Sequence, residues 1–332
     1  MSPQGNAGRI VTHDIEECQE IVYPWDVILR QMSPGRFHGQ MDYVQVNGLL
    51  IYRENWTRSV HASGTTPAGY FMLGTTLKPD NRTSWCGSDL STSNLAFGSP
   101  ASETEFTTPD DACHTVILVP EFQMQSVFGE EAIDAALAQN QCHLAVNPQL
   151  GRSLITRVDR LINEYQAHPE RLTDTRECAA VESQLMGDLA EIFTGEGTTV
   201  ERVTKSQRRR AFLRAVNMGD ELKESVTVPE LAAAAGVSQR ILELAFHESI
   251  GITPRKYLRW RRMQNVFADL CAGDLATTVT KVAGHWGFTE LGRFAVEYKK
   301  LFGQSPSETL RNLKPSRFPR YVDLLACGGR KP

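Results

Sequence analysis

The sequence predicts an α+β chain in two parts: a β-rich amino-terminal region that passes into helices, and an all-α carboxy-terminal region with two helix-turn-helix units. Three observations predict it. Residues 37–120 alternate apolar and polar side chains in short runs separated by turn residues, as half-buried strands do. From about Glu121 the apolar spacing lengthens to the period of helices. The stretch that starts at Val228 then recurs from Val279, 51 residues later.

A chain of 332 residues has room for two ordinary domains. Its 41% hydrophobic and 22% charged residues are those of a globular protein. The start, "MSPQGNAGRIVTHDIEE", has neither the basic head nor the apolar core of a signal peptide. No run approaches the ~18 apolar residues that a membrane helix needs. The seven cysteines, at positions 18, 86, 113, 142, 178, 271 and 327, are odd in number and form no C-x-x-C pair. They read as reduced thiols, with no disulfide framework and no zinc site, so a cytoplasmic location with no membrane partner is expected.

The net charge of −4 conceals an asymmetry. Residues 1–204 carry 13 Lys+Arg against 27 Asp+Glu, a charge of −14, and residues 205–332 carry 22 against 12, or +10. A basic third of a chain points to a polyanionic partner, most often nucleic acid, with a solvated basic surface as the plainer reading.

In the first part, "DYVQVNGLLIYREN" reads as two strands joined at Asn47-Gly48, a pair that tolerates the positive φ of a tight hairpin. "AGYFMLGTTL" and "HTVILVP" continue the pattern, which suggests a sandwich or small barrel. "QSVFGEEAIDAALAQ", "GRSLITRVDRLINEYQAH" and "RECAAVESQLMGDLAEIF" fit helices. On the second of these, Leu154, Val158, Leu161, Ile162 and Tyr165 share one face. The stripe either packs on its own domain or meets a second subunit, and these five are the dimerisation candidates. Polar "TGEGTTVERVTKSQ" reads as a connection. The expected organisation is therefore a domain over 1–195, a linker over 196–207, a domain over 208–320 that opens on the basic helix "RRRAFLRAVNMGDELKES", and a tail over 321–332.

The repeat explains why a good helix is broken. Leu231, Ala232, Gly236 and Ser238 correspond to Val282, Ala283, Gly287 and Thr289, all 51 residues on. Leu242, Phe246, Gly251 and Pro254 correspond to Phe294, Tyr298, Gly303 and Pro306, 52 on, so the second copy has one extra residue after its turn. The alanines at 232–235 favour a continuing helix. Gly236 stops it with left-handed backbone, and Ser238 is expected to cap the next helix at ~1 kcal/mol. Gly287 and Thr289 are expected to do the same in the second copy, and the small Ala232 and Ala283 allow close helix crossing. Two such elbows at nearly constant offset make a pair of helix-turn-helix units.

On "LAAAAGVSQRILELAFHESIGITPRKYLRWRRM" and "VAGHWGFTELGRFAVEYKKLFGQSPSETLR" the chain resembles the AraC/XylS transcriptional regulators, over about Arg208 to Arg320. The resemblance implies two units joined by one long helix, about Arg255 to Leu270. Recognition helices at Ser238–His247 and Glu290–Lys300 would then face successive major grooves ~34 Å apart. "MSPGRFHGQMDYVQVNGLLIYREN" resembles, more loosely, regulators of ethanolamine utilisation and their relatives, which serve catabolic and quorum-sensing-linked virulence programmes. This implies a cupin-like barrel or sandwich that binds an effector, with neighbouring helices that dimerise. Double-stranded DNA and a second copy of the chain are the expected partners; RNA polymerase and a small-molecule effector are further candidates.

By resemblance, the base-facing positions are Arg240, Glu243 and Leu244, then Leu291, Gly292, Ala295 and Val296. Arg240 can chelate a guanine edge or hold a phosphate, and Glu243 can accept from cytosine N4 or stand as a surface charge. The second set departs from the polar groups usual in the family. It can read thymine methyls at most, or mainly shape. Arg208, Arg209, Arg210, Ser238, Arg259, Arg261, Arg262, Thr289, Arg293, Lys299 and Lys300 are the phosphate candidates. Some arginines of "RKYLRWRR" are expected to brace the helix or pair with acids instead. Leu242, Phe246, Trp286, Phe288, Phe294 and Tyr298 read as core.

His38, His61, His114, His143 and His168 form no H-x-H or H-x-x-H pair, so no metal site is expected. With no nucleophile elbow, P-loop or G-x-G-x-x-G before a helix, neither a cofactor nor enzymatic activity is expected. Asp110-Asp111 reads as a turn or cap ahead of a catalytic pair. Trp25, Phe37, Trp56, Tyr70, Phe71 and Trp85 either line a pocket or fill the core. Cys86, Cys113 and Cys142 read as buried thiols ahead of redox sensors. The rival readings are a DNA-tethered enzyme and a ligand-independent regulator controlled by partners or abundance.

Overall fold

The structure is a computed structural model describing residues 5–22, 25–78, 83–128, 142–194, 199–202, 206–221, 226–274 and 276–312. These fall into two compact units, residues 5–29 with 38–202, and residues 30–37 with 206–312.

The first unit carries the short helix α1 (Ile15–Ile21) and two antiparallel sheets. The larger runs in the order β1 (Gly5–Thr12), β3 (Gly39–Val46), β4 (Leu49–Trp56), β11 (Ala112–Pro120), β6 (Tyr70–Thr76), β9 (Asn94–Gly98), β12 (Cys142–Ala145) and β13 (Thr199–Arg202). The smaller runs β2 (Asp26–Gln31), β5 (Val60–Thr65), β10 (Glu103–Thr107), β7 (Ser84–Trp85) and β8 (Ser88–Asp89). The β3–β4 hairpin closes at the pair Val46–Leu49, with Asn47 at φ 48° and Gly48 at φ 92°. Two positive-φ residues in a row make the tight turn that Asn-Gly signals.

Strand alternation gives the larger sheet two working faces. Ile51, Phe71, Leu73, Phe97, Ile117 and Val119 face a core shared with helices α3 (Pro148–Ala167) and α4 (Thr175–Thr194). Tyr52, Glu54, Trp56, Met72, Ala96, His114 and Val116, offset by one, line a cavity of about 50 Å³ together with Trp85 and Phe106 of the smaller sheet. Of the six aromatics picked out above, Trp25, Trp56 and Trp85 line this cavity, Phe71 packs in the helix-side core and Phe37 is buried.

Several expectations are corrected. Leu154, Val158, Leu161, Ile162 and Tyr165 are at most 9% exposed and belong to this unit's own core, so they offer no surface to a second subunit. Residues 199–202, expected as linker, form β13, which pairs with β12 from Cys142–Arg202 to Ala145–Thr199. The run "TVER" opens on two β-branched residues, and the edge of β12 offers unpaired backbone groups for it to join. α2 (Glu121–Phe128) accounts for the start of the helix expected over 125–139, whose remainder lies outside the described residues. Asp111 sits in a turn at φ 53°, and Asp110 Oδ1 accepts from the Ser59 N–H at 2.7 Å, in keeping with the turn reading. Cys86 and Cys113 are buried, and burial pushes the Cys113 thiol up; the Cys142 side chain lies outside the description.

Asp42 of β3 is a buried junction. It accepts from Arg9 at 2.5 Å and from Arg53 at 2.8 Å, and Arg53 also bonds Asp159 of α3. Burial opposes the Asp42 charge, but the two guanidiniums outweigh it and hold the carboxyl below the usual range.

The second unit contains α5 (Gln207–Glu221), α6 (Val228–Ala235), α7 (Gln239–Ile250), α8 (Pro254–Cys271), α9 (Val279–His285), α10 (Leu291–Phe302) and α11 (Pro306–Arg311). It has two cores. Phe212, Val216, Leu231, Leu242, Phe246 and Tyr257 form one; Val266, Phe267, Ala283, Phe294, Tyr298 and Phe302 form the other. α8 supplies residues to both and is the rod between them. α7 and α10 end alike, at Gly251 (φ 68°) and Gly303 (φ 70°). Each is followed by a Thr or Ser N-cap, Thr253 or Ser305, and a proline in the first turn, Pro254 or Pro306.

Candidate nucleic-acid interface

In the first helix-turn-helix unit, Thr227 and Glu230 form a capping box that starts α6, with the Thr227 N–H donating to Glu230 Oε2 at 2.8 Å. Gly236, at φ 68° and ψ 33°, ends that helix, and the Val237 N–H donates to the Ala232 carbonyl at 3.0 Å. Ser238 Oγ then accepts from the Ile241 N–H at 3.4 Å and starts α7. α7 buries Leu242, Ala245 and Phe246 and leaves Arg240, Glu243 and Leu244 exposed on the other side. Arg240 forms no ion pair among the described residues, so its five N–H donors are open to a ligand.

The second unit repeats the elbow. Thr278 Oγ1 caps α9 by accepting from the Lys281 N–H at 3.3 Å. Gly287 turns at φ 76°, and the Phe288 N–H donates to the Ala283 carbonyl at 2.9 Å, the counterpart of the Val237–Ala232 bond. Then the copies part. α10 starts at Leu291 with Glu290 in the N-cap position, and no side chain caps it. Thr289 therefore does not cap α10, contrary to expectation: the extra residue after the turn leaves it one place outside. Phe294 and Tyr298 are buried, while Leu291, Gly292 and Val296 are exposed and Ala295 is half-buried. At 71% exposure, Val296 is unusually open for a large apolar residue.

The basic candidates divide by what already holds them. Arg209 and Arg261 are buried at 9% and 5% exposure; the Arg209 guanidinium lies 5.4 Å from the Phe212 ring centre, and neither can reach a phosphate as placed. Arg208 pairs with Glu248. Arg259 and Arg293 share Glu297, the latter at 2.9 Å. Arg262 and Arg259 also lie over Phe288, at 5.5 and 5.6 Å from its ring centre. Burial, and then the like charge of Arg259, hold Arg262 below the ordinary arginine range. Burial opposes the charge of Glu297, but the guanidiniums of Arg259 and Arg293 win and keep its carboxyl low. Arg210, Lys299 and Lys300 are exposed, as are Ser238 and Thr289.

Sequence reasoning missed two participants. Lys281 is exposed in the first turn of α9, beside the Thr278 cap. Glu297 clamps two arginines, and its i, i+4 spacing from Arg293 was the available signal.

Residues 231–312 match the family described as helix-turn-helix domain. Over 230 residues the chain is 28% identical to the XylDLEGF operon transcriptional activator 1 of Pseudomonas putida, covering 66% of this chain and 67% of that one. Residues 231–312 thus carry a helix-turn-helix domain similar to that of AraC/XylS regulators. The relatives that the chain matches there are transcriptional activators and regulatory proteins. It is also 46% identical over 92 residues to the probable thc operon regulatory protein of Rhodococcus erythropolis, a match that spans 27% of this chain and 28% of that protein's length. Among solved structures, the AraC-like transcriptional activator CuxR aligns over 79% of this chain and 96% of its own, at 14% identity and a TM-score of 0.44.

Proposed function

We propose that the chain is an AraC/XylS regulator that binds double-stranded DNA as a homodimer and sets α7 and α10 of each protomer into successive major grooves. On binding a small effector it then activates a catabolic or virulence-linked operon, with RNA polymerase as its further partner. The observation that carries this reading is the pair of matched helices at the two ends of α8, each packed on its inner side and bare on its outer side. A helix of 18 residues is about 27 Å long, of the order of the ~34 Å of one DNA turn.

Arg240 donates to a guanine edge and Glu243 accepts from cytosine N4 in one groove, with Leu244 against a thymine methyl. In the other groove Leu291, Gly292, Ala295 and Val296 read methyls and shape. Arg210, Lys281, Lys299 and Lys300, with the exposed Ser238 and Thr289, meet phosphates. Arg208, Arg259 and Arg293 join them on releasing their carboxylates. About six phosphate contacts make affinity fall ~10³-fold or more between 50 and 200 mM salt. The effector-control part rests on the cavity between the two sheets of the first unit. The dimer part uses the outward faces of α3 and α4, since the buried stripe is already occupied.

Selection of bound genomic fragments, followed by footprinting, tests the reading. Protection of two adjacent half-sites one helical turn apart is the expected result; protection of one short half-site overturns it. Sedimentation of the DNA-free protein tests the dimer.

A further inference from the structure

The cavity in the first unit restricts which effector the regulator can hold, an inference that rests on the effector-controlled reading above. Its walls are aromatic. The rings of Trp25 and Trp85 meet edge to face at 6.4 Å, and Trp56 stacks on Phe106 at 5.8 Å. At about 50 Å³ the cavity is roughly a third of the ~150 Å³ that holds benzene, so one small ring is the most it takes, and only as the side chains around it give way.

Its charge pattern is one-sided. Among the described residues no Lys or Arg lines it, and the titratable lining groups other than Tyr52 are Glu54 and His114. His114 Nε2 lies 2.8 Å from Glu54 Oε2. A carboxylate only accepts, so the imidazole proton faces it from Nε2, and in the neutral imidazole Nδ1 is then a lone-pair acceptor. That Nδ1 is buried and has no hydrogen-bond partner in the structure; the same is true of Thr83 Oγ1 on the cavity wall. Buried polar atoms are ordinarily satisfied, so the cavity presents an acceptor awaiting a donor. A carboxylate ligand would meet the Glu54 carboxylate with no cation among the described lining residues to offset it. An ammonium would find Glu54 already bonded to His114.

We propose that the effector is a small, uncharged aromatic molecule bearing a hydroxyl group, held between the tryptophans with its O–H donating to His114 Nδ1.

The test is isothermal titration of the full-length protein at neutral pH with phenol, toluene, benzoate and benzylamine, alongside thermal melting with each. Phenol is expected to bind saturably and raise the melting temperature. Toluene, the same size but without a donor, should bind at least about ten-fold more weakly, as a lost bond to a buried acceptor implies. Benzoate and benzylamine should give neither heat nor shift. Equal binding of toluene and phenol overturns the role of His114. Tighter binding of benzoate or benzylamine overturns the ligand class while keeping the effector reading. Silence from all four overturns the class and removes the cavity's support for effector control. His114→Leu should bring phenol down to the toluene level with toluene unchanged, and undiminished phenol binding by the folded variant overturns the proposal. Should that variant not fold, the phenol–toluene comparison in the unaltered protein decides.

Discussion

Where the first helix-turn-helix unit presents Arg240, Glu243 and Leu244, the second presents Gly292, Ala295 and Val296 at the same places in the repeat. Beneath them the two helices are alike: Leu242 and Phe246 on one side correspond to Phe294 and Tyr298 on the other, all four at most 1% exposed. Packing constrains the inner side, because a buried position must be filled at crystal-like density. The outer side answers only to what it binds. The pair therefore separates, within one chain, what the elbow needs to stand from what it needs to read.

That separation can be broken or sharpened by experiment. The largest effect should come from the shared inner side. Phe246→Ala and Tyr298→Ala should each cost about 3–5 kcal/mol by chemical denaturation. Because the two side chains lie in different cores, the losses should add to within about 0.5 kcal/mol. A marked excess or deficit would mean the two halves are not independent.

On the outer side the copies should differ. Arg240→Ala should cost about 1–3 kcal/mol of DNA affinity and relax preference at one base pair. Val296→Ala should cost less than about 1 kcal/mol, with little change in preference. Equal uniform losses in binding titrations would assign both positions to non-specific contact.

The next test concerns charge. Glu297→Gln should release Arg259 and Arg293 and steepen the slope of log affinity against log salt by about one to two. The folded Glu297 carboxyl is held low, so its contribution is complete above the unfolded value of about 4.3 and fades only as pH falls through the lower folded value. At neutral pH the clamp is closed, and an unchanged slope would mean neither arginine reaches phosphate.

The smallest contrast is at the caps. Ser238→Ala should cost about 1 kcal/mol and Thr289→Ala less than about 0.5, since only Ser238 accepts from a helix N–H. Equal costs would place Thr289 back in a capping role.

Much of this was legible beforehand because it is written in local chemistry. Gly236, Gly251, Gly287 and Gly303 all adopt the left-handed backbone, and Asn47-Gly48 makes its hairpin, because these positions depend on the residue and its immediate neighbours. The recurring Leu242/Phe246 and Phe294/Tyr298 pairs announced the inner faces by their spacing alone. Legibility failed where one outcome depended on a distant partner. The stripe of α3 had the spacing of an interface and of a core alike, and the β-sheet in front of it decided for the core. Arg209 and Arg261 read as free cations until the packing of α5 and α8 enclosed them.

The order of residues was enough to set the elbows, the hairpin and the split between an acidic and a basic half, since each follows from backbone preference, periodicity or a sum of charges. It took the folded chain to decide which cations stay free, which apolar stripe is already covered, and that Glu54 and His114 meet beside three tryptophans. Those outcomes are set by side chains far apart in sequence competing for the same few ångströms, and no local pattern records who wins.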